Sequence, residues 1–189
     1  MTSVRRRLVL RWAATAAAVA AIPAAAQAPS GSALEYQIKA TFLYTVAKFV
    51  EWPAEKLEAN APIQVGIYGK DPFGPALDQT MRGKTVNGRE MVVHRVTGLE
   101  QASQHHILFI SSAEKKRLGT VLEAVAGGPV LTVGDVSNFA EQGGMVNLMM
   151  KENSVGLEIN VNAAERAHLK ISSRLLRLAR VVKDQQVVR

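Results

Sequence analysis

The sequence contains no cysteine. Disulfide staples, a thiol nucleophile and a thiol-based redox switch are all excluded, so the fold must be held by packing alone. No acidic residue precedes Glu35, whereas Arg5, Arg6, Arg7 and Arg11 crowd the beginning of the chain. The apolar run at residues 13–22 falls short of the roughly 20 residues that cross a bilayer. Ala24-Ala25-Ala26 then offers the small-residue exit that a signal peptidase accepts. A basic start, a short apolar middle and a small-residue exit predict a removable secretory signal over residues 1–26 and an exported protein. Without a cysteine near the cut, a lipoprotein anchor is excluded.

The chain has 23 Lys and Arg against 16 Asp and Glu, a net charge of +7. Four of those arginines belong to the signal, which leaves the exported part near +3. The basic balance is therefore no argument for a nucleic-acid partner, which needs a basic patch on the folded domain. The remainder suits one domain, burying about 70% of its unfolded surface without staples.

Pro, Ser and Gly make residues 27–33 an expected mobile start. From 34 to 52 the pattern predicts a helix, closed by Pro53. Short strands are expected at 63–68, 91–96, 107–110 and 130–133, with helices at 73–81 and 114–126 and a helical turn at 99–103. Gly143-Gly144 opens a β-hairpin, 145–150 and 155–161, and a long helix is expected over 163–182. Apolar strands alternating with helices predict a sheet covered on both faces. The expected fold is a single-domain α/β sandwich over residues 34–183, with a short tail at 184–189. Its sheet is mixed and mostly parallel, with a C-terminal antiparallel hairpin and flanking helices.

No motif with catalytic or metal-binding force emerges. Gly83-Lys84-Thr85 imitates the end of a phosphate loop, but Asp78 stands where its first glycine belongs, and Val86-Asn87-Gly88-Arg89 turns into a strand rather than a helix. Glu165 and His168 form a single pair where a di-metal bundle needs two. His105 and His106 are adjacent on an extended segment, so their rings point to opposite faces. Ser111-Ser112 lacks a nucleophile elbow. No enzyme, cofactor or metal is called for. Lys70-Asp71, Ser111-Ser112 and Asp135 are expected at the carboxyl ends of strands, where small ligands settle in open α/β sheets. They support an alternative function as a small-ligand sensor or carrier.

The first helix is apolar nearly all round. Ile38, Phe42, Thr45, Phe49 and Trp52 make one stripe, and Tyr36, Leu43, Val46 and Val50 a neighbouring one. A helix of this kind is either buried on two sides or left with a face for a partner, and a homodimer is one way to cover it. In the last expected helix, Ile171, Leu175, Leu178 and Val182 should face the core. Lys170, Arg174 and Arg177 share an adjacent basic strip.

Three stretches, KATFLYTVAKFVEWP at residues 39–53, HILFIS at 106–111 and residues 143–180 ending ISSRLLRLAR, occur together in this order. With them the chain resembles the YfiR family of bacterial periplasmic proteins over nearly all of its exported part. The resemblance implies a non-enzymatic repressor that binds the periplasmic sensor region of an inner-membrane diguanylate cyclase. An outer-membrane lipoprotein relieves such repression, so that cyclic di-GMP and biofilm formation rise. Disulfide control in the family does not transfer, because this chain has no cysteine. The resemblance marks Glu158, Asn160, Lys170 and Arg174 as the partner-facing and small-ligand region. Phe49 and Trp52 from the apolar girdle and Arg177 from the basic strip complete the candidate binding set.

Overall fold

The computed structural model describes residues 31–58, 60–151 and 154–183. In chain order its elements are α1 (Gly31–Ala47), β1 (Val50–Glu51), β2 (Ile63–Tyr68), α2 (Pro75–Met81), β3 (Thr85–Val86), β4 (Arg89–Val96), α3 (Leu99–Ala102), β5 (Ile107–Ile110), α4 (Leu118–Ala124), β6 (Leu131–Gly134), β7 (Val146–Lys151), β8 (Ser154–Asn160), α5 (Val161–Arg166), β9 (Lys170–Ile171), α6 (Ser173–Leu176) and β10 (Arg180–Val182). Three-residue and six-residue 3-10 segments, Ala54–Lys56 and Ser112–Arg117, precede β2 and α4.

The apolar run 107–110 sits inside the sheet because its residues alternate between two cores. Ile107 and Phe109 join one cluster with α1, α2 and α5, while Leu108 and Ile110 join another with α3 and α4. Eight strands follow the order β10-β8-β7-β6-β5-β2-β4-β3. From β4 across to β7 the neighbours are parallel; β7 and β8 form the expected antiparallel hairpin, and β3 pairs antiparallel with β4. The mixed, helix-flanked α/β sandwich read from the sequence is the observed fold. Asn87 (φ 50°) and Gly88 (φ 79°) supply the two positive φ values of a tight β3–β4 hairpin, so the Gly83-Lys84-Thr85 run is a turn into a strand.

Both terminal helices need correction. Helix α1 begins at Gly31, ahead of the expected start at 34, and ends at Ala47 rather than at Trp52. Val50 and Glu51 leave it as a strand, which pairs antiparallel with Ile171 and Lys170. The region 114–126 is a 3-10 segment joined to a shorter α4. The long helix expected over 163–182 breaks into α5, β9, α6 and β10. His168 is the cause: it takes φ 57°, its N–H bonds to Glu165 O, and Leu169 N–H reaches back to Ala164 O (2.9 Å). That is the six-to-one closure that stops a helix with a left-handed residue. Leu175 and Val182 are buried as expected, but Ile171 is only half-buried and Leu178 is 76% exposed. Residues 1–30 and 184–189, which hold the expected signal, most of the mobile start and the tail, lie outside the described residues.

The new C-terminal strand is held by a charge. Arg180 lies opposite Glu158 in the parallel register of β10 with β8, and its guanidinium bonds the buried Glu158 carboxylate (Nε, 2.7 Å). Asn147 Nδ2 donates to the other Glu158 oxygen at 3.0 Å.

The stop at His168 yields a discriminating prediction. His168→Gly should raise stability by about 1 kcal/mol, because glycine takes the left-handed conformation without the steric cost borne by other residues. A continuous helix would instead lose about 1 kcal/mol to glycine. Urea unfolding of the two proteins decides between the two signs.

Candidate functional site

Four of the seven expected binding residues meet around the two-stranded sheet of β1 and β9. Phe49 ends the turn after α1, and its carbonyl accepts the Ser172 N–H at 2.8 Å, which locks the two segments together. A groove of about 270 Å³ lies there, lined by Lys48, Phe49, Glu51, Ser172 and Arg174 among others. A second groove, about 320 Å³, runs alongside and is lined by Glu51, Trp52, His168 and Lys170. Lys48, Lys170 and Arg174 are exposed, as are Glu51 and Glu55, and Phe49 is half-buried, so the small sheet carries a rim of three cations and two carboxylates around Phe49.

The first stripe of α1 runs toward this centre. Ile38, Phe42, Thr45 and Phe49 are all half-buried, whereas Leu43, Val46 and Val50 of the other stripe are fully buried against the sheet. One face of α1 is thus committed to the core and the other is partly uncovered.

Trp52 differs from Phe49. It is 7% exposed, and its Nε1–H donates to the His106 carbonyl at 3.1 Å, so it supports the groove from beneath. Glu158 and Asn160 sit inside the sheet, 1% and 0% exposed. Glu158 holds Arg180 and Asn147, as above. Asn160 caps α5, with Oδ1 accepting Ala163 N–H at 2.9 Å and Nδ2 donating to Ala140 O at 2.7 Å. Arg177 is exposed just beyond α6, beside Leu178. The Arg180–Glu158 pair could not be found from sequence, since it depends on β10, a strand whose spacing imitates a helix.

At the carboxyl edge of the sheet the structure assembles a second group of residues. Lys39 of α1 is 3% exposed and pairs with Glu35 (2.5 Å) and Asp135 (3.0 Å). The Tyr36 hydroxyl donates to the same Asp135 oxygen at 2.7 Å. Burial, and then the Asp135 carboxylate, raise the Tyr36 phenol well above its ordinary value. The other Asp135 oxygen is buried and has no hydrogen-bond partner among the described residues. The one legible signal was the four-residue spacing of Glu35 and Lys39, which favours a helical ion pair. Asp71, the third member of the strand-end set, caps its own loop through Phe73 N–H and binds Arg95, which also holds Asp78.

Among the described residues no group of three or more potential metal ligands gathers. The His105 and His106 rings do point to opposite faces: His105 packs edge-on to His94, and His106 edge-on to Trp52.

The family model described as YfiR/HmsC-like matches residues 36–180. The chain belongs to the YfiR/HmsC-like family. The family is periplasmic and regulatory rather than catalytic, and cyclic di-GMP signalling is the setting it suggests for this member. A solved structure, a conserved domain protein from Vibrio cholerae, is similar with a TM-score of 0.54 at 11% identity. The match covers 79% of this chain and 60% of that one, so the likeness concerns the fold. No described helix of this YfiR/HmsC-like chain is long and apolar enough to cross a membrane.

His106 lies beneath the groove, edge-on to Trp52. His106 accepts Gln64 N–H at Nδ1 (3.0 Å), so Nε2 carries the proton toward the Lys56 carbonyl (3.2 Å). Burial holds His106 and His105 below their ordinary 6.5, and in the case of His106 the Lys56, Arg89 and His105 charges push the same way. A depressed folded value means that the contribution is complete above about pH 6.5 and is lost as pH falls through the folded value. Urea midpoints measured from about pH 7.5 down to about pH 5 should therefore fall. His106→Gln, which keeps a donor and an acceptor, should flatten part of that slope; an unchanged slope would count against this role for His106.

Proposed function

We propose that this protein is a periplasmic regulator that binds the sensor region of an inner-membrane diguanylate cyclase and holds the enzyme inactive. The observation that carries the reading is the half-covered stripe of α1, which ends at Phe49 beside the exposed Lys48, Lys170 and Arg174. Family membership supplies the signalling context. An apolar centre ringed by charge has the anatomy of a protein interface, with aromatic and Arg anchors holding most of the energy. Lys48, Lys170 and Arg174 select an acidic partner surface and speed encounter with it.

Repression follows from preference between states. The regulator shifts the cyclase only by the difference between its affinities for the inactive and active forms. Moving the enzyme from mostly on to nearly all off takes about 5 kcal/mol of such preference. Phe49 and Arg174 are the anchors proposed to supply it, with Arg177 at the margin. Release belongs to a competitor for the same face, an outer-membrane lipoprotein being the partner type that the family resemblance implies. Cyclic di-GMP and biofilm formation then rise. A homodimer that covers the α1 stripe is the expected resting state.

Charge reversal tests the surface. Lys170→Glu with Arg174→Glu, both exposed, should leave the melting temperature nearly unchanged and weaken capture of the cyclase sensor region by more than about tenfold. Cells carrying the variant should show raised cyclic di-GMP, and so should cells lacking the protein. Undiminished binding, or a deletion without effect on cyclic di-GMP, would overturn the reading.

A further inference from the structure

The parallel core of the sheet changes direction at one place. From β2 the chain crosses through α2 to β4 on one side, then returns through α3 to β5 on the other side of β2. The two helices lie on opposite faces of the sheet. The loops leaving β2 and β5 therefore diverge and open a crevice between their carboxyl ends, the position where open α/β sheets hold ligands. In this protein the crevice is a cavity of about 540 Å³. That volume is within the range of small-molecule sites.

Its walls divide by chemistry. Tyr36, Pro72, Ala33 and Ala113 contribute apolar surface. Lys70, Ser111 and Ser112 contribute donors. Ser111 is 2% exposed, and its oxygen accepts Ala113 N–H (3.4 Å) while its own proton meets no acceptor among the described residues. A buried hydroxyl of this kind is built to meet a hydrogen-bond acceptor.

Each described carboxylate around the mouth already has a cation beside it, and Lys39 serves two of them. Asp71 is held by Arg95, Glu114 by Arg117, and Glu35 and Asp135 both by Lys39. Lys70 is exposed and forms no ion pair with any described residue. We propose that this crevice binds a small organic carboxylate. The Lys70 ammonium and the Ser111 hydroxyl take the carboxylate, and a flat apolar body lies along Tyr36 and Pro72. The α1 helix forms one wall through Ala33 and Tyr36, so an occupied crevice also steadies the helix whose far end carries the Phe49 surface. The site stands on its own residues and does not depend on the identity of any protein partner.

Benzoate serves as the probe, with benzamide as its uncharged isostere. In chemical-shift titrations of the purified protein, benzoate should bind and perturb the amides of Lys70, Ser111 and Ser112, and benzamide should bind about tenfold more weakly. Lys70→Gln, an exposed change that leaves the melting temperature unaltered, should weaken benzoate by a similar factor, and Lys70→Arg should restore most of it. Equal binding of the two probes, benzoate binding unchanged in Lys70→Gln, or no perturbation at those amides would each overturn the proposal.

Discussion

The helices of this molecule are placed by a sheet that is apolar on both faces. Residues 107–110 bury every side chain, alternate ones into opposite cores, and Val65, Ile67, Leu131 and Val133 are likewise at zero exposure. Without disulfides, burial of this surface at about 25 cal/mol per Å² is the main force available. Helices must cover both sides. Helix α1 covers one of them with Ala40, Leu43, Val46 and Ala47, and its neighbouring stripe is left half-covered as a result. The surface assigned to partner binding is thus a by-product of how the core is closed.

A second constraint fixes where α1 lies. Lys39, buried in a helix that is otherwise apolar on that side, is stabilised by Glu35 and Asp135 together, and Tyr36 adds a hydrogen bond to the same Asp135. Breaking a buried pair by removing one partner is far more costly than the pair is favourable. The cluster is better understood as a register pin that sets α1 across the carboxyl ends of the strands than as a source of net stability. One end of α1 then borders the crevice between β2 and β5, and the other delivers Phe49 to the small sheet.

Much of this was legible before any coordinates. Periodicity located the four central strands, turn chemistry located the β7–β8 hairpin and the Asn87-Gly88 turn, and the double stripe of α1 exposed its two-sided character. The C-terminal region was not legible, because Ile171, Leu175, Leu178 and Val182 satisfy helical spacing while local closure at His168 overrides it. Strand β10 exists only because Glu158 and Asn160 of β8 receive it, a contact at long range. For the same reason Glu158 and Asn160, expected at a binding surface, sit within the sheet. Phe49, Lys170 and Arg174 were brought together by a pairing of β1 with β9 that no local pattern announces. Trp52 kept its neighbourhood but turned inward to the His106 carbonyl.

Hydrogen exchange of the protein alone and bound to the periplasmic sensor region of its candidate cyclase tests the central claim most directly. The account predicts slowed exchange on complex formation in residues 38–51 and 170–177, on both sides of the β1–β9 pair. Protection confined to other elements, with those two segments unchanged, would contradict it.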